Sequence, residues 1–95
     1  MYVRVVRFTD VSPDRLAEVL ARVRESGGPP PGVSMSRLQL LSDPEQGTAV
    51  VLQYFETADE MEAAARVFEA MDASETPGTR ASADTCEVKL DIARS

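Results

Sequence analysis

A chain of 95 residues with 16 acidic and 10 basic side chains, net charge −6, can bury one modest core and is too acidic to seek phosphate backbones or anionic membranes. One cysteine, Cys86, leaves no intramolecular disulfide. The absence of histidine and tryptophan removes the commonest general base, the commonest transition-metal ligand and the usual axial ligand of haem. Residues 1–95 are therefore expected to form a single cytoplasmic domain with no metal or cofactor and no nucleic-acid or membrane partner. Met1 is followed by the alternating YVRVVRF, not by a signal peptide or a spanning segment.

Residues 2–8 are rich in β-branched and aromatic side chains over too short a span for a helix, which predicts a first strand. Ser12 and Pro13 then have N-cap and first-helical-position character, and Val11 and Leu16 have hydrophobic-staple spacing. Leu16, Val19, Leu20 and Val23 recur at helical spacing, Glu18 and Arg22 stand four apart, and Gly27 is a natural stop. Gly28-Pro29-Pro30-Pro31-Gly32 reads as a stiff polyproline spacer, without the PxxP spacing of a recognition motif. A second strand is expected over residues 36–41 with Leu38 and Leu40 on one face, followed by a hairpin loop at Asp43-Pro44-Glu45-Gln46-Gly47.

The next segment, TAVVLQYFETADE, is apolar on both faces: Ala49, Val51 and Phe55 point one way, Val50, Leu52 and Tyr54 the other. It runs directly into a helix start, since Thr57 and Glu60 have capping-box spacing. The second helix is expected from Ala58 to about Met71, with Met61, Ala64, Ala65, Phe68 and Met71 on its buried stripe. Residues 73–83 exceed the usual connection length and read as a flap or a disordered loop. Cys86, Val88, Leu90 and Ile92 alternate with charged residues and predict a half-exposed last strand.

The order βαββαβ implies an α+β fold of the ferredoxin-like kind. Four antiparallel strands would carry two helices on one face, with strands one and three at the centre. A third strand that is apolar on both sides needs a second cover beyond those helices. A second copy of the chain, forming a homodimer, is the expected cover.

Pro31-Gly32 before the second strand, the hairpin into VVLQYFET and the acidic helix start ADEMEAA resemble the antibiotic-biosynthesis-monooxygenase group of dimeric α+β barrels over residues 31–71. The resemblance covers most of the chain when the first strand and helix are included. It implies two ferredoxin-like sheets packed face to face with the helices outside, and a small apolar or aromatic ligand between helices and sheet. Members of the group include enzymes that oxidise aromatic polyketides without metal or flavin, and relatives that degrade haem. The haem-degrading relatives commonly carry tryptophan where Phe55 stands and histidine near Ala64 or Ala65. Both are absent here, which points away from haem. Arg7 stands near the position where members place a polar ligand-contacting side chain.

Counting in twos places Val3, Val5 and Arg7 on one face of strand one, and Val51, Gln53 and Phe55 on one face of strand three. The resemblance puts this face under the helices. With strands one and three taken as parallel, Arg7, Gln53 and Phe55 would converge as ligand-binding residues. Arg suits a carboxylate or phenolate, Gln a carbonyl and Phe a ring. Arg7 snorkelling at the sheet edge and Gln53 bonding to backbone is the structural alternative. Tyr2, Arg4, Val6 and Phe8 with Val50, Leu52 and Tyr54 would face the partner, with Arg4 paired to Glu87 or Asp91. Tyr54 and Cys86 are read mainly as packing residues, with an acid and a nucleophile as the competing readings. Asp59, Glu60 and Glu62 read as the charged start and exposed face of the second helix, and no metal motif or phosphate-binding loop occurs. A non-catalytic dimeric module of the same fold is the rival to a cofactor-independent oxygenase.

Overall fold

The computed structural model describes residues 1–71 and 76–94. Its elements are β1 (Tyr2–Thr9), α1 (Pro13–Ser26), β2 (Arg37–Asp43), β3 (Thr48–Phe55), α2 (Ala58–Glu69) and β4 (Thr79–Glu87). The sheet order is β2-β3-β1-β4 with every neighbouring pair antiparallel. This is the ferredoxin-like βαββαβ arrangement, with β1 and β3 central as expected.

Local signals act where the sequence places them. Ser12 Oγ accepts from the Arg15 amide at 3.2 Å, Pro13 opens α1, and Gly27 closes it at φ 70°, a conformation that costs a residue with a Cβ roughly 1–2 kcal/mol. Thr57 Oγ1 accepts from the Glu60 amide at 3.1 Å and starts α2 two residues after β3 ends. The proline run bends: Gly32 at φ 86° and a bond from the Val33 amide to the Pro30 carbonyl (3.2 Å) make a turn with Pro31 and Gly32 at its centre. The β2–β3 hairpin closes through the Gly47 amide on the Asp43 carbonyl at 2.9 Å, with the Asp43 side chain accepting from the Gln46 amide at 3.3 Å.

The register overturns one expectation outright. β1 and β3 are antiparallel, not parallel, with Tyr2 opposite Phe55, Arg4 opposite Gln53 and Arg7 opposite Val50. Directly opposed residues share a face, so β1 is turned over relative to the sequence reading. The helix-covered face carries Arg4, Val6 and Phe8 with Ala49, Gln53 and Phe55, all buried. The open face carries Val3, Val5 and Arg7 with Val50, Leu52 and Tyr54. Pairing a central strand with a neighbour in a βαββαβ sheet requires the antiparallel sense, because each right-handed crossover skips one strand position and leaves room for the strand between.

β4 is also displaced from its expected position. It begins at Thr79, inside the segment read as a flap or disordered loop, and ends at Glu87. Residues 73–75 of that segment lie outside the described residues. Small and polar residues give Thr79–Glu87 no period-two hydrophobic signal, yet it pairs with β1 along its length, with one irregularity between Arg7 and Phe8. Backbone pairing at a sheet edge has overridden propensity. The alternating Val88, Leu90 and Ile92 lie beyond the strand. Val88 still donates to the Met1 carbonyl at 3.0 Å, but Leu90 and Ile92 are strongly exposed.

The two ends of the helix-covered face are filled differently. Under α2, Phe55, Met61, Ala64 and Val33 form a sealed cluster, with Tyr2, Met35, Val67 and Phe68 packed on it. α2 stops at Glu69, so Met71 falls past its end and is exposed, while Phe68 and Ala65 are half-buried. Under α1 only Val19 of the helix is buried. The space between α1 and the sheet remains partly empty.

Candidate functional site

That space is a cavity of about 360 Å³, within the range of small-molecule sites. Val6 and Phe8 of β1, Val51 of β3 and Leu40 of β2 make its floor, and Val19 and Leu20 of α1 its roof. Phe68 bounds it toward the α2 cluster. Val23, Leu38 and Met71 line it and are also exposed, so the mouth opens between the end of α1, the β2 edge and the end of α2. Pro77 and Thr76 complete the wall, and the Thr76 carbonyl accepts from Arg15 Nε at 2.9 Å, tying this segment to α1.

The buried part of the polar lining is Arg4 and Gln53, opposed across β1 and β3 and only 3% and 5% exposed. Arg4 Nη1 donates to Gln53 Oε1 at 3.0 Å. The guanidinium also stands over the Phe68 ring, 5.7 Å from its centroid, within cation–π range. Its nearest ion-pair contact is Glu69, Nη2 to Oε1 at 4.0 Å, and Glu69 is itself shared with Arg80 at 3.4 Å. Burial chiefly, and then the charge of Arg80, pull the Arg4 pKa below the usual arginine value, and Glu69 offsets this only in part. Arg4 remains protonated, since a guanidinium does not lose its proton in proteins.

The three residues expected to bind a ligand are not brought together. Gln53 lines the cavity. Phe55 is fully buried in the α2 cluster and is not part of the cavity wall. Arg7 is exposed on the open face, opposite Val50 and Ser82. Arg4, expected at a partner surface in an ion pair with Glu87 or Asp91, takes the inward position instead. Antiparallel counting from Gln53 would have found it, because the residue opposite a buried polar side chain is its natural hydrogen-bond partner. Arg80 and Arg24 also line the cavity, and no motif announced them.

Tyr54 and Cys86 lie away from the cavity. The Tyr54 hydroxyl donates to Gln39 Oε1 at 2.9 Å and Arg37 stands over its ring at 5.8 Å, so its polar atom is engaged on the open face. Cys86 is exposed on β4, opposite Val3. Among the described residues no group of three or more acidic or thiol side chains is placed to hold a metal ion, and no helix is long and apolar enough to cross a membrane. No model of a known protein family matches the chain, and no curated protein matches it.

Proposed function

We propose that the chain acts as a homodimer that binds a small apolar or aromatic molecule in the cavity between α1 and the sheet, in the manner of the antibiotic-biosynthesis-monooxygenase-like barrels it resembles. The observation that carries this reading is the cavity itself: an open, largely apolar space next to a sealed core, with a buried polar pair, Arg4 and Gln53, in its wall. Phe68 and Met71 line this space and leave it open, whereas a purely structural module would be expected to fill it.

The dimer is supported by the open face. Val3, Val5, Val50 and Leu52 form an apolar band with exposed Leu41 beside it, and no element of the chain covers them among the described residues. Arg7, Arg37 and Asp84 on the same face carry both signs of charge, which a two-fold copy can oppose. A single sheet with helices on one side gains most by burying the other against an equivalent sheet.

Any catalysis is of the cofactor-independent kind. A CH₂ flanked by aromatic rings loses a proton to water, the delocalised anion adds O₂ as a peroxide anion that takes a proton back from water to give a hydroperoxide, and loss of water leaves a ketone. The protein then supplies a dry cavity and cationic donors for the developing charge. A non-catalytic binding role is favoured by a specific feature: among the described residues the cavity wall contains no carboxylate, phenol or thiol to move a proton. Two measurements separate the readings. Calorimetric titration with anthrone or 2-naphthol should give saturable binding of one molecule per chain, and the absence of saturable heat overturns the binding role. Oxygen uptake with anthrone, abolished in Arg4→Ala, supports catalysis; anthrone recovered unchanged in both samples removes it.

A further inference from the structure

The charges around the cavity run against those of the chain. Acidic residues outnumber basic ones by 16 to 10, yet Arg4, Arg24 and Arg80 line the cavity and no acidic residue does, among the described residues. Among the described residues the one carboxylate near Arg4 is Glu69, outside the lining, and it is divided between two guanidiniums at 4.0 and 3.4 Å. Among the described residues the lining therefore carries excess positive charge; Arg24 and Arg80 are exposed and screened, but Arg4 is buried, where a single unit counts for far more.

Arg4 is also under-used as a donor. A guanidinium has five N–H groups, and among the described residues the one side-chain hydrogen bond of Arg4 employs Nη1. The Nε and Nη2 edge remains, and Glu69 at 4.0 Å is beyond hydrogen-bonding distance of it. No fully buried side-chain polar atom lacks a partner among the described residues, so these unbonded donors keep some accessible surface, and Arg4 is a residue of the cavity wall. That edge presents two parallel N–H groups, the fork that matches the two oxygens of a carboxylate, whereas a phenolate or carbonyl offers only one.

We infer that the cavity's ligand is an apolar monocarboxylate, its carboxylate held by Arg4 with Arg80 nearby and its ring or chain lying on Val6, Val51 and Phe68. This rests on the binding role proposed above and assigns the charge and headgroup of the ligand. Gln53 is the positioning residue: its Oε1 fixes the guanidinium plane without neutralising it, which a glutamate there would do.

The test compares 2-naphthoate with 2-naphthamide, nearly the same shape without the charge, by calorimetric titration at about 0.15 M salt. The wild-type protein is expected to bind the acid about tenfold or more tightly than the amide, the scale of a charge-assisted hydrogen bond. In Gln53→Glu, which places a carboxylate on Arg4 with little change of shape, the ratio of the two affinities should fall to about one or below. Arg4→Met should give the same collapse, with circular dichroism verifying that both variants fold. Equal affinity for acid and amide in the wild-type protein overturns the carboxylate assignment and leaves apolar binding standing. So does a preference for the acid that survives in Gln53→Glu. If neither compound binds the folded wild-type protein at millimolar concentration, the binding role fails and the carboxylate assignment with it.

Discussion

Burying a guanidinium beneath a helical layer is unfavourable unless its charge and its donors are met. Arg4 has an amide oxygen at 3.0 Å and an aromatic face at 5.7 Å, but among the described residues no carboxylate closer than 4.0 Å. Its lowered pKa, caused first by burial and then by Arg80, says that the folded protein bears part of the cost. The double substitution Arg4→Met with Gln53→Leu removes charge and amide together. It should raise stability by about 1 kcal/mol or more, read as a higher urea midpoint at unchanged slope. A lower midpoint would mean that the pair is a structural hub. Gly78 makes the opposite kind of prediction: a Cβ there would collide with the Thr9 carbonyl oxygen and press on Val11, so Gly78→Ala should destabilise by about 1–3 kcal/mol in the same titration.

Elements differed in how far their residues disclosed them. Caps and turns were legible because their causes are local: Ser12, Gly27, Gly47 and Thr57 each act within a few residues. The faces of β1 were not, because YVRVVRF alternates arginine and aliphatic residues on both sides and only the pairing with β3 decides which arginine goes inward. The candidate site inherited that ambiguity; Gln53 was legible as a buried polar residue, while Arg4 and Arg7 exchanged roles. β4 gave no periodic signal because it is an edge strand, largely exposed along its length. The two helices should also differ in behaviour. α2 sits on a closed cluster and α1 on a cavity, so amides of α1 should exchange with deuterium markedly faster than those of α2, and 2-naphthoate should slow α1 preferentially. Equal protection of both helices, unchanged by the compound, would argue that the cavity is closed in solution.

At the scale of the whole molecule, one sheet separates two apolar surfaces, for which different occupants are proposed. The open face is proposed to meet a second copy, and it can be tested without touching the cavity. Leu52→Asp places a charge at the centre of that face, opposite Val5 and Gln39, and should convert a dimer into a folded monomer in sedimentation equilibrium at micromolar concentration. A wild-type monomer would remove the dimer and with it the barrel. The helix-covered face is proposed to meet the ligand, and methyl-resolved NMR of the whole protein titrated with 2-naphthoate examines it most directly. Methyl resonances of Val6, Leu20, Leu40 and Val51 should shift to saturation while those of Val3, Val5 and Leu52 stay in place. Shifts confined to the open-face methyls, or none at any concentration, would contradict a ligand site between α1 and the sheet.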